Sequence, residues 1–269
     1  MSLLNRVVAT VLEALLWPFR GLPPLVGLAF VALLTAVVVL LVYGKTSDQD
    51  GITAVRRRIL ASLLEMRLFR DDLVVVLRAQ GQVLKASLRY FRYSLVPLAW
   101  VLLPLVVLFI HLDRIYGYDP LAPGEAAILT VQAEEVEDVA LEAGPGLAVE
   151  TPALRVPGSQ EAQWRIRGLV PGEYTLTVQT TGDEVTKNVM VGAGPRPLAP
   201  TRPSSGVFDQ LLHPGESPVP SNGTVWRITV HYRRATISFL GWDLHWVIPF
   251  LILTVLFGFA LQKPLGVKL

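Results

Sequence analysis

The sequence predicts an α-helical membrane protein, with three transmembrane helices and a cytoplasmic helical hairpin, into which an all-β, immunoglobulin-like sandwich is inserted. Three observations carry this reading. The chain is 52% hydrophobic with a mean hydropathy of +0.47, more apolar surface than a soluble core of this size absorbs. Its apolar residues gather in three runs, 24–43, 95–112 and 244–261, with no central acid or base. At 1.5 Å per helical residue, each run spans roughly 27–30 Å, the thickness of the hydrocarbon layer. Between the second and third runs the pattern changes to period-two alternation broken by Gly, Pro and Asp, the signature of short antiparallel strands.

Residues 1–23 open the chain as an interfacial amphipathic helix. Leu4, Val8, Val11, Leu12 and Leu15 recur at helical spacing, and Asn5, Arg6 and Glu13 mark a narrower polar side. Trp17 and Arg20 suit the head-group level. Pro18, Pro23 and Pro24 separate this helix from the first apolar run, and no small-x-small site follows, so a cleaved signal peptide is not expected.

The first span, 24–43, holds Thr35 as its clearly polar interior residue. Segment 44–94 then reads as a basic helical hairpin. Ile52, Val55, Ile59, Leu63 and Met66 form one stripe; after a turn, Asp71 is placed to cap a second helix with the stripe Leu73, Leu77, Leu84, Leu88 and Phe91. Two such stripes are what an antiparallel pair needs to bury its apolar faces. The second helix runs into the span 95–112 without a break. Pro97 and Pro104 lie on nearly the same face of that span. Each removes a backbone donor, so the span is expected to pack against protein. His111, at its outer end, reads as an interfacial side chain.

Lys and Arg set the orientation. Residues 44–93 carry Lys45, Arg56, Arg57, Arg58, Arg67, Arg70, Arg78, Lys85, Arg89 and Arg92 against Asp48, Asp50, Glu65, Asp71 and Asp72, whereas acids outnumber bases in 113–245. By the positive-inside rule the hairpin and the tail 262–269 are cytoplasmic, and the N-terminus and the domain 113–240 lie outside a plasma (inner) membrane. Arg56, Arg57 and Arg58 read first as anchors beside lipid head groups. A surface for RNA, ribosome or acidic nascent chains is the competing reading. The charge split points to lipid and to no DNA.

The outer domain contains strands AAILTVQAE, VEDVALEAG, EAQWRIRG, GEYTLTVQTTG, TKNVMVG, TVWRITVHY and ATISFL. With no cysteine in the chain it must be held by its own core, and Trp164 and Tyr174 flank a Pro-Gly turn as core candidates. Residues 193–223 form a Pro-rich loop without periodicity, either mobile or a contact loop, whose centre VFDQLLH is short enough for one helical turn. The Asn-Gly-Thr at 222–224 matches a glycosylation acceptor, a pattern too short to weigh.

No catalytic constellation is present. There is no HExxH and no phosphate-cradling glycine loop, and His111, His213, His231 and His245 lack ligand spacing. Glu134, Glu135, Glu137 and Asp138 lack the order of a calcium loop and read as a solvated turn. Neither enzyme activity nor a cofactor or metal is expected.

The order of an interfacial helix, a span, a basic cytoplasmic hairpin (52–93), a return span (95–112) and a late span beginning WDLHWVIPFL resembles the YidC-type membrane protein insertase superfamily. The closest likeness is to its short branch, with the insertase subunit of the endoplasmic reticulum membrane complex and archaeal relatives. The resemblance covers about half the chain, 1–112 and 240–269. It implies insertion or chaperoning of membrane proteins, with nascent or client membrane proteins as partners. Arg56, Arg57, Arg58, Gln80, Thr35, Pro97 and Pro104 are the candidate contacts. The chain departs from that family by having no groove arginine in its first span and by carrying a whole β-domain where the short branch has a short loop. The alternative is a membrane scaffold, an accessory subunit of a larger complex, whose sandwich binds an extracytoplasmic protein.

Overall fold

A computed structural model describes residues 3–46, the positions 57, 60, 61 and 64, and residues 73–266. The chain divides into two compact units, Met1–Leu28 with Val107–Pro249, and Ala29–Val106 with Phe250–Leu269. The described residues include the helices α1 (Leu3–Leu16), α2 (Pro24–Thr46), α3 (Leu73–Tyr116), α4 (Val207–Leu212) and α5 (Val247–Leu261). Pro24 opens α2, where a missing N–H costs nothing. Two stretches, Pro24–Thr46 and Ala99–Tyr116, are long and apolar enough to cross a membrane; Val247–Leu261 is apolar but has 15 residues.

The second hairpin helix and the second span prove to be one element. α3 runs for 44 residues and holds its helical pattern through both Pro97 and Pro104. The first hairpin stripe from Ile52 to Met66, the Asp71 cap, Arg56 and Arg58 lie outside the described residues.

The β-domain contains eleven strands among the described residues: β1 (Ala126–Ala133), β2 (Ala140–Ala143), β3 (Leu147–Val149), β4 (Leu154–Val156), β5 (Glu161–Gly168), β6 (Gly172–Gln179), β7 (Glu184–Val191), β8 (Thr201–Arg202), β9 (Val225–Val230), β10 (Ile237–Phe239) and β11 (Trp242–Leu244). The larger sheet has the order β3-β5-β1-β9-β8, with β4 also on β5; a second is β2-β6-β7; β10 and β11 form a hairpin. Every strand pair is antiparallel. Inward residues of both larger sheets, including Leu129, Val131, Trp164, Ile166, Leu176, Val178 and Val189, belong to one buried core. The alternation follows from the pleat: in β5, Ala162, Trp164 and Ile166 face inward while Arg165 faces solvent. Gly146 sits so close to the Tyr174 ring that no Cβ fits there.

Several expectations are corrected. The last apolar helix begins at Val247 rather than at 244, because Trp242–Leu244 pairs with Ile237–Phe239 around Leu240 and Gly241. Both turn residues have positive φ, 54° and 86°, the mirror-image turn that matches strand twist. Residues 193–223 are not a bare loop. Leu198 and Val219 enter the core, β8 pairs with β9, and α4 forms at the expected VFDQLL. VEDVALEAG shrinks to the four residues of β2. The short strands β3, β4, β8 and β11 were not expected, since two or three residues display no alternation to read.

Candidate functional site

The described sequence-derived contact residues, Arg57, Gln80, Thr35, Pro97 and Pro104, fall in the unit Ala29–Val106 with Phe250–Leu269. Arg57 and Gln80 are exposed. Thr35 is buried, and its hydroxyl donates to the Val31 carbonyl oxygen one turn back at 2.8 Å, so the polarity of the first span is satisfied within its own helix. Pro97 lies inside α3, and Pro104 is exposed. Among the described residues, the protein packing expected on the proline face is not seen at Pro104. No described side-chain contact joins these residues into one constellation.

What this unit does present is an apolar stripe. Leu77, Leu84, Leu88 and Phe91 recur at helical spacing on α3 and are all at least 60% exposed. Leu60 and Leu64 are exposed as well. A row of large exposed apolar side chains is uncommon on a soluble monomer.

The unit with the β-domain holds two polar clusters. In the first, Lys187 lies on β7 in line with the inward Val185 and Val189 and is wholly buried. Its ammonium donates to Glu216 Oε1 at 2.9 Å, to the Asn188 carbonyl oxygen at 3.3 Å and to that of Ala199. Burial pulls the Lys187 pKa down, and Glu216 counters part of the shift. Glu216 Oε1 also accepts from the Asn188 N–H at 3.1 Å, whereas its Oε2 is buried without a hydrogen-bond partner among the described residues. The Tyr232 hydroxyl accepts from the Met190 N–H at 3.2 Å, and burial raises its pKa. These groups adjoin a cavity of about 260 Å³ lined also by Glu13, Arg114 and Glu173. The signal for Lys187 was legible: strict alternation in EVTKNVMV places it among the inward residues.

The second cluster corrects two expectations. Asn5, assigned to the polar side of α1, is buried and donates from Nδ2 to the Gln210 carbonyl oxygen of α4 at 2.7 Å. His111 is buried rather than interfacial; its Nε2 lies 3.2 Å from the Asn5 carbonyl oxygen and its Nδ1 2.9 Å from that of Val107. Asn5 thus joins α1, α3 and α4 at one point. No run of sequence could reveal this, because the partners are separated by 106 and 205 positions. Among the described residues no group of three or more His, Cys, Asp or Glu is placed to hold a metal ion.

No protein-family model matches the chain, and no curated protein matches it. Among solved structures, the S-layer protein rSbsC(31-844) is similar at 16% identity and TM-score 0.24, over 46% of this chain and 22% of that one. Surface layer protein SbsC, domains 1-6, is similar at 15% identity and TM-score 0.24, over 42% and 20%. The chain spans about a fifth of the length of these two structures, and the overlap is too loose to carry an argument about fold or function.

Proposed function

We propose that this chain is a multi-pass membrane protein of the YidC type that assists insertion or folding of other membrane proteins. In this reading the runs 24–43 and 95–112 and the helix Val247–Leu261 cross the bilayer, the basic arm faces the cytosol, and an immunoglobulin-like sandwich lies outside. The observation that supports it is the stripe Leu77, Leu84, Leu88 and Phe91, exposed on the same unbroken helix that supplies the second span. Such a stripe offers an emerging apolar segment a place to leave water before it reaches lipid, since burying apolar surface is worth roughly 25 cal/mol per Å². Exposed bases such as Arg57 and Lys85 add a screened attraction for acidic flanks.

The test is depletion with rescue. Replacing Arg56, Arg57 and Arg58 by Gln leaves seven bases against five acids in the loop, so topology is retained while client capture falls. Replacing Leu84 and Leu88 by Ser removes the stripe without touching charge. Insertion of short-tailed membrane proteins should drop with either variant. If depletion leaves the membrane proteome intact except for one complex that dissociates, the scaffold reading replaces this one. That second reading draws on Leu240 and Trp242, both largely exposed on the β10–β11 hairpin as a contact point for an extracytoplasmic protein.

A further inference from the structure

Helix α4 is built inside out. Its acid, Asp209, turns toward the β-domain, where Oδ2 accepts from the Ser204 N–H at 2.6 Å and Oδ1 from Arg227 Nη2 at 2.8 Å, with His213 Nδ1 at 3.0 Å. Its apolar residues turn out: Phe208 is 83% exposed, and Val207 and Leu212 are exposed with it. A short helix on a soluble surface has the opposite arrangement, because the charge gains hydration and the apolar side chains gain a core. Here the carboxylate is held by protein donors, which leaves Val207, Phe208 and Leu212 as the large exposed side chains of the helix.

The place of α4 says what covers that face. The Gln210 carbonyl oxygen accepts from Asn5 of α1, and the Asn5 carbonyl oxygen meets His111 of α3. His111 lies five residues inside the end of the apolar stretch Ala99–Tyr116, about 7.5 Å at the helical rise. Through Asn5, α4 is therefore held at the level where an apolar helix leaves hydrocarbon for head groups. α1 at the same level also turns Val7 and Val11 outward. Two neighbouring helices with outward apolar faces at one depth fit the bilayer interface, where such faces enter the acyl boundary by roughly 5–10 Å.

We infer that Val207, Phe208 and Leu212 of α4 form, with the outward face of α1, a lipid-docking surface that rests the β-domain on the bilayer. This goes beyond the insertase reading but rests on its claim that the apolar helices span a membrane. The segment 193–223 then serves as a membrane contact, and the sandwich is held against the lipid surface.

The chain has no cysteine, so single nitroxides can be placed cleanly. Phe208→Cys and Leu212→Cys, both at exposed sites, would be labelled in the full chain reconstituted into phosphatidylcholine–phosphatidylglycerol vesicles. Collision with oxygen, which concentrates in lipid, is compared with that of a water-soluble nickel chelate. Ser221→Cys, exposed on the β-domain, and Leu251→Cys, exposed on α5, serve as aqueous and membrane references. Oxygen-dominated collision at 208 and 212, as at 251 and inverted relative to 221, is the expected result. Nickel-dominated collision at 208 and 212 with oxygen dominance at 251 overturns the docking surface alone. Low collision with both reagents at 208 and 212 means that protein covers the helix, which also overturns it. Nickel dominance at 251 removes the membrane reading and this surface with it.

Discussion

Trp246 Nε1 donates to Asp113 Oδ1 at 3.0 Å, linking the residue before the last apolar helix to the C-terminal end of the long one. The indole is buried and meets the Phe109 ring edge-on at 5.5 Å. Asp113 has a second, looser partner in Arg234 at 3.6 Å, whose guanidinium stacks over Tyr118. Trp246→Phe keeps most of the packing but removes the donor to the Asp113 side chain, and should cost about 1–3 kcal/mol. Chemical unfolding in detergent, compared with Asp113→Asn, checks this. Equal losses in the single and double variants would show that the hydrogen bond is the shared cause.

Lys187→Met leaves the Glu216 carboxylate buried without its cation and should destabilise the β-domain by about 3–5 kcal/mol. Adding Glu216→Leu should recover most of that loss, because a buried ion pair and an apolar pair differ little in net stability. The pH dependence has a definite sign. Burial lowers the Lys187 pKa below its ordinary 10.5 in the folded state, so between the two values the unfolded chain holds the extra proton. The Lys187 contribution therefore rises with pH through the lowered pKa up to 10.5. Tyr232, with its pKa raised by burial, acts oppositely above 10.0. The difference between wild type and Lys187→Met across the alkaline range isolates the lysine, and a difference that shrinks with rising pH would contradict the assignment.

Asp209 is held below the usual carboxylate range. Burial pushes its pKa up, but donation from Ser204 and Arg227 outweighs this. A depressed folded pKa means stabilisation present above 3.8 and lost as pH falls through the folded value. Asp209→Asn should cost about 1.5–3 kcal/mol at neutral pH and nothing at low pH. Urea midpoints of the two proteins measured from neutral to acid pH should converge.

Trp164 is buried in the core shared by the two larger sheets. Trp164→Ala should lose about 3–5 kcal/mol, read as a lowered melting transition of the sheet signal, while the apolar helices keep their helicity. An unshifted melt would place the indole outside the core.

The sequence by itself determined those elements whose physics is local. The run 24–43 is apolar on every side, so any fold must hide it, and a helix is its cheapest form. EAQWRIRG and TKNVMVG alternate strictly, so their inward residues, including the unexpected Lys187, were legible before any partner strand was known. Even VFDQLL declared its helical turn. Tertiary structure alone decided what depends on distant partners. Asn5 looked like a solvent-facing residue until Gln210, 205 positions away, supplied its acceptor. His111 looked interfacial until α1 covered it, and residues 193–223 looked structureless until Leu198 and Val219 found the core. Periodicity tells which face of an element is buried only when that face is apolar. Where a polar group is buried, the partner that satisfies it makes the burial possible, and that partner is specified by the fold rather than by its neighbours in the chain.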